Sequence, residues 1–245
     1  MTTTTHRRLL NALLTITLVG AAAPLLAETI VVTTTAELEA ALTPANAGMR
    51  ILVRAGEYEL SQALTVPDNA TLVGEGEMIF DDSGLPTGFA ADGRTVLRST
   101  PTLVGDVLTL GDGAMLRGLV IEDAPGRQGG NQVVVSSRAV GDFLSAVLDK
   151  VEIINPNPAG IVPAGPTGAA LVVMTRNPNL GQSPPPHEGA VIEVEMRRSI
   201  VRASSRGTGV FAINFASHFR RQRSTLRPRW RLCRRHLRVA EGPIA

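Results

Sequence analysis

Short runs of strand-forming residues, several with one apolar and one polar face and many set off by turn residues, constrain this chain more than any other feature of its sequence. Runs of this kind fall at 29–32, 51–53, 64–66, 71–73, 96–97, 107–110, 116–121, 133–135, 151–154, 171–174, 191–196, 200–201 and 210–213, and Gly, Asn, Asp or Pro often lies between them. Alternation is clean in places. Ile192, Val194 and Met196 share one face while Glu193, Glu195 and Arg197 share the other, and Val151 and Ile153 oppose Lys150 and Glu152. Side chains of a strand point alternately to its two faces, so each such strand predicts one dry face and one wet face.

Two architectures bury one face of many short strands: an antiparallel sandwich and a solenoid. Hairpin dipeptides are few, with only Asp92-Gly93 and Asp112-Gly113 qualifying, whereas hairpins are a common sandwich connection. Aromatic residues make up 3% of the chain, too few for the usual sandwich core. Similar strings recur, as in Ala70-Thr71-Leu72-Val73-Gly74 and Ala114-Met115-Leu116-Arg117-Gly118. One amphipathic helix is predicted over 33–42, with Thr34 and Glu37 as a capping box and Leu38, Ala41 and Leu42 as its apolar stripe. A single helix at the start supplies the cap that the first turn of a solenoid needs. The sequence therefore predicts an all-β right-handed parallel β-helix with an N-terminal capping helix, spanning 28–217.

A family resemblance rests on the same residues. The run Leu38-Glu39-Ala40-Ala41-Leu42, then Arg50-Ile51-Leu52-Val53-Arg54-Ala55-Gly56-Glu57-Tyr58, then Leu64-Thr65-Val66-Pro67-Asp68-Asn69-Ala70-Thr71-Leu72-Val73-Gly74-Glu75-Gly76 resembles the N-terminal cap and first coils of the pectin-lyase-like superfamily. Leu116-Arg117-Gly118-Leu119-Val120-Ile121 is similar to the recurring coil of those proteins. Asn155, Asn157, Asn177, Asn179 and Asn214 follow strands, as the Asn-rich turns of the family do, and Asn suits sharp corners by tolerating left-handed backbone and bonding its own neighbours. The resemblance speaks for the fold; a fold hosts many functions.

Charge divides the chain into three parts. Arg7 and Arg8, a largely apolar stretch from Leu9 to Val19, small residues Gly20 to Ala23 and the site Pro24-Leu25-Leu26-Ala27 read as a secretory signal cleaved before Glu28. Export to the periplasm or beyond is expected, with no membrane-spanning segment after cleavage. From Glu28 to His218 there are 13 basic and 21 acidic residues, a net −8; from Phe219 to Ala245 nine Arg and one Glu give +8. An acidic body lacks the basic face that nucleic acid requires. The segment 218–245, holding the only Trp (Trp230) and the only Cys (Cys233), breaks with the strand pattern. It is expected to be a disordered or non-native tail of the kind a frame change produces, leaving the solenoid without a C-terminal cap; a basic arm for anionic polymers or lipid headgroups is the alternative. One Lys against 23 Arg points to a GC-rich, bacterial source.

Catalytic signs are thin. Lyases of the resembled superfamily neutralise a uronate carboxylate with Ca²⁺ or Arg and take the α-proton with a base, and the hydrolases place two carboxylates across a glycosidic bond. Of the lyase turn only Arg176-Asn177-Pro178 is present, with Gly181 where the closing Arg belongs; of the hydrolase set only Asp81-Asp82 remains. His187-Glu188, behind Pro184-Pro185-Pro186, could present an imidazole base on a stiff loop. Arg176, Arg197, Arg198 and Arg202 could line a face for acidic sugars. No zinc or EF-hand spacing occurs, so Ca²⁺ is implied by the resemblance alone. Three readings stay open: a polysaccharide-binding or polysaccharide-processing protein, a non-catalytic surface or structural β-helix, and an inactive truncated product.

Overall fold

The structure is a computed structural model describing residues 28–127, 129–157, 160–162, 165–174, 190–204, 208–213 and 237–241. Strands, numbered in chain order, dominate these residues and fall into three rows. Row one holds β1 (Thr29–Val32), β2 (Arg50–Val53), β5 (Thr71–Gly74), the first parts of β10 (Ala114–Glu122) and β12 (Phe143–Asn155), and β16 (Val191–Arg197). Row two holds β3 (Gly56–Leu60), β8 (Thr95–Ser99), the second parts of β10 and β12, β17 (Ser199–Ala203) and β19 (Leu237–Glu241). Row three holds β4 (Leu64–Val66), β9 (Leu108–Leu110), β11 (Val133–Ser136), β15 (Ala169–Met174) and β18 (Thr208–Ile213). Rows one and two form a ten-stranded sheet and row three a five-stranded sheet, and every pairing given for these strands is parallel. After β1 the chain visits the rows in the order one, two, three, and repeats that order through β18.

Register explains why so few aromatics suffice. Residues stacked level in one row form columns that are aliphatic apart from Tyr58 at the start of row two: Ile51, Leu72, Leu116, Leu148 and Met196 in row one; Tyr58, Leu97, Ile121, Ile153 and Val201 in row two; Leu64, Leu108, Val133, Leu171 and Val210 in row three. All belong to one core, with Val210 partly buried at its end. Close-packed aliphatic stacking fills most of this interior without large rings. The two similar strings of sequence prove to be neighbours in space, since Thr71, Leu72 and Val73 pair with Met115, Leu116 and Arg117.

Between rows one and two the chain bends at a single left-handed residue. Gly118 (φ 65°), Lys150 (φ 54°) and Arg198 (φ 48°) stand level with one another at this bend. At position 118 itself only glycine fits, because a Cβ there would lie 2.8 Å from the Gly74 carbonyl oxygen. Helix α1 (Thr35–Ala41) carries the expected capping box, with Glu37 N–H donating to Thr34 Oγ1 at 3.2 Å and Glu37 Oε2 accepting from Thr34 N–H at 3.2 Å. Leu38, Ala41 and Leu42 are buried against the core. A 3₁₀ turn, Pro44–Asn46, then intervenes before β2.

Several expectations need revision. β12 is thirteen residues long where only 151–154 reads as strand, because polar Ser145, Asp149, Lys150 and the bend interrupt the apolar signal while backbone pairing on both sides carries the strand through. Glu152, expected on a wet face, is 6% exposed. Two antiparallel hairpins occur, β6 (Met78–Phe80) with β7 (Pro86–Phe89) and β13 (Gly160–Val162) with β14 (Gly165–Thr167), and neither turn is of the Asp-Gly kind. Among the described residues, left-handed backbone at non-glycine positions falls on Asn69, Lys150 and Arg198 rather than on Asn155 or Asn157, while Asn177, Asn179 and Asn214 lie outside the described residues. Within 218–245, read as lacking strand pattern, residues Leu237–Glu241 form β19 in parallel register with Ser199–Ala203; an edge strand accepts any partner through backbone groups, which sequence patterning does not reveal.

Candidate functional site

Asp81 and Asp82 sit at the turn of the β6–β7 hairpin. Asp81 Oδ1 accepts hydrogen bonds from Ser83 N–H (3.0 Å), Ser83 Oγ–H (2.6 Å) and Leu85 N–H (2.9 Å). A carboxylate bonded to its own turn closes the loop, as Asp commonly does. His187, Glu188 and Arg176 lie outside the described residues.

Arg197 and Arg198 are brought together with two residues that the sequence did not single out, Arg117 and Lys150. Arg117, Asp149 and Arg197 are level on three adjacent strands, and Lys150 and Arg198 are level at the bend beside them. Asp149 is the pivot. Arg198 donates from Nη2 to both its carboxylate oxygens (2.6 and 2.8 Å) and from Nε to Oδ1 (3.1 Å), while Arg117 Nε lies 3.7 Å from Oδ2. Arg197 forks onto Glu195, and that bond holds the Glu195 carboxyl below its ordinary value. The Asp149 side chain is 10% exposed against 54% for Arg117 and 44% for Arg198, so the guanidinium groups face solvent above a shielded carboxylate. Three guanidinium groups thus stand around two carboxylates, with exposed Glu193 farther along β16. Lys150 is the chain's one lysine, and among the described residues its ammonium has no ion-pair partner.

Arg202 stands apart. Its Nε donates to Glu152 Oε1 and its Nη2 to the Thr87 carbonyl oxygen, both at 2.6 Å, so the guanidinium is engaged inside the protein. Elsewhere on the outer surface, charges of successive strands also pair. Arg98 bridges Glu57 and Glu122, which raises its own pKa chiefly through the Glu122 bond, and Arg54 holds Glu75.

A second polar cluster lies inside, where β10 and β12 leave row two. Asp123 accepts from Ser99 Oγ–H (2.5 Å) and Arg127 Nε–H at one oxygen, and from Gln132 Nε2–H (2.9 Å) and Asn157 Nδ2–H (2.7 Å) at the other. Asn155 and Asn157 bond each other and the neighbouring backbone, as corner residues. These groups are buried, so the cluster braces a corner and offers no face to a substrate. Arg127 is invisible to sequence reading because nothing in a turn of polar residues announces which one folds inward.

No family model, curated protein or solved structure matches the chain. Among the described residues no helix is long and apolar enough to cross a membrane, and no three His, Cys, Asp or Glu side chains converge as a metal-binding group.

Proposed function

We propose that this chain is an exported right-handed parallel β-helix protein that holds acidic polysaccharide on its outer wall without cleaving it. The repeated order of the three strand rows supports the solenoid. The observation that carries the binding role is the placement of Arg117 on β10, Lys150 on β12 and Arg198 at the bend between β16 and β17, with Arg117 and Arg198 converging on Asp149. Adjacent strands are about 4.8 Å apart, so these cations form a short rising row that suits an extended polymer with regularly spaced carboxylates. Asp149 keeps two guanidinium groups in fixed positions, which lowers the entropy lost when they take an anion.

Binding of polygalacturonate by the full chain, followed by affinity electrophoresis, tests this. Retention is expected, is lost in the fully methyl-esterified polymer and in 0.5 M NaCl-scale salt (on the order of a 4 Å Debye length), and falls about tenfold, roughly 1.4 kcal/mol, in the Arg117→Glu/Lys150→Glu double variant. Arg54→Glu, on a distant pair, should leave it unchanged. Equal retention of charged and esterified polymer sinks the reading, and release of an ultraviolet-absorbing unsaturated product turns it into a lyase. The paired charges Arg98–Glu122 and Arg54–Glu75 favour a second reading, a purely structural surface solenoid that binds neither polymer.

A further inference from the structure

Row two carries a buried strip on its outer side. Leu97, Ile121, Ile153 and Val201 point into the core, so by alternation Val96, Val120, Glu152 and Ile200 point outward. These four are level in register across β8, β10, β12 and β17. Outward residues of a solenoid wall ordinarily meet water, yet here they are 0%, 1%, 6% and 1% exposed.

The β6–β7 hairpin, inserted between β5 and β8, is anchored at its base beside Gly76 and reaches the outer side of row two at Glu152 and Arg202. At its base the Phe89 ring packs against Gly76, where a Cβ would come within 2.7 Å of it. Further out, Thr87 O accepts from Arg202 Nη2 at 2.6 Å, and a Cβ on Gly88 would lie 3.6 Å from Arg202 and 3.8 Å from Glu152. The hairpin is itself two-faced, with Met78 and Pro86 buried and Ile79 and Thr87 exposed. Arg202 belongs to β17 and Glu152 to β12, whereas the hairpin belongs to the turn of chain that contains β5 and β8.

We propose that the β6–β7 hairpin is a strap laid across the outer side of row two, tying the β5–β8 turn to β17 three strands away. A stack of repeats is held by nearest-neighbour contacts, so its end frays independently of its middle. A strap that skips over β10 and β12 adds a contact between non-neighbours. Opening of β17 must then break the Arg202–Thr87 bond and uncover Ile200, and strands β8 to β17 open together. Glu152, carrying charge within an apolar strip, is tolerated because Arg202 neutralises it, and the same Arg202 grips the strap.

Native-state hydrogen exchange on the full chain tests the proposal. Ala90 N–H already donates to Glu77 O at 3.0 Å, so residues 78–89 can be replaced by a two-residue turn without pulling the ends apart. In the unaltered chain, amides of β8 and β17 should exchange at matching free energies of opening. With the hairpin excised, β17 amides should exchange at least about tenfold faster relative to β2, and more so than those of β8. Where circular dichroism shows that the excised chain does not fold, Arg202→Lys decides, since lysine keeps the charge beside Glu152 but lacks the fork that also reaches Thr87; about a threefold or greater acceleration confined to β17 is expected. The proposal is overturned if β17 exchanges at the unaltered rate in the deciding variant, or if in the unaltered chain β17 already opens more than tenfold more readily than β8.

Discussion

Asp123 and Arg127 meet in the interior with side chains 2% and 0% exposed. Water cannot solvate either group, so the pair and its hydrogen bonds to Ser99, Gln132 and Asn157 must. Removing one partner of such a pair strands the other charge, which costs about 3–5 kcal/mol. Asp123→Ala is therefore expected to lower the urea midpoint by that equivalent. Glu195→Ala, which also deprives an arginine of its carboxylate, should cost no more than about 1 kcal/mol, because Arg197 is 51% exposed and remains hydrated. Comparable midpoints for the two variants would show that Arg127 finds water or another partner. The Gln132 side chain adds to the stakes of this corner: its Nε2–H is committed to Asp123, and its buried Oε1 has no hydrogen-bond partner among the described residues.

At the scale of one element, β16 illustrates how far alternation carries. Ile192 and Met196 are buried and Glu193 and Arg197 exposed, as the pattern predicts, while Val194 and Glu195 are intermediate. The strand pairs only with β12 among the described residues, and a strand with one neighbour leaves part of its dry face uncovered. Ile192→Asp is expected to cost roughly 3 kcal/mol or more, since it buries an unpaired carboxylate, and Glu193→Gln to stay within about 0.5 kcal/mol. Guanidinium denaturation of both variants checks the assigned faces; equal midpoints would reverse them. The bend beside this strand makes a complementary point. Lys150 and Arg198 accept left-handed backbone that costs about 1–2 kcal/mol for a residue with a Cβ. The Arg198 side chain has room to reach Asp149, whereas Gly118 and Gly74 face each other's carbonyls and leave no room for a Cβ.

For the whole molecule, the charge partition and the strand rows have to be considered together. The first 27 residues lie outside the described structure, which begins at Glu28 just before β1. Export with cleavage after Ala27 predicts that tagged protein recovered from outside the bacterial cytoplasm starts at Glu28 by intact mass; recovery of chains that retain Arg7 and Arg8 would remove the cleavage claim. At the other end β19 lies along β17, so the strand rows extend past the point where the sequence pattern breaks. A frame change at about 218 predicts that another reading frame of the nucleotide sequence after codon 217 encodes several further coils; their absence from both other frames overturns it.

What the sequence determined by itself was local. Strand positions, the capped helix and the inward faces follow from periods of two and 3.6 residues and from capping chemistry, all of which act within a few residues of the chain. The recurrence of Ala70–Gly74 at Ala114–Gly118 went one step further, because strands that stack in parallel must satisfy the same column of neighbours. Only the tertiary structure decided which charges meet. Arg117 and Arg198 converge on Asp149, Arg202 reaches Thr87 from 115 residues away, and Arg127 turns inward to Asp123. Arg117, Arg198 and Arg202 find their partners across strands, so which strands lie side by side sets those pairings.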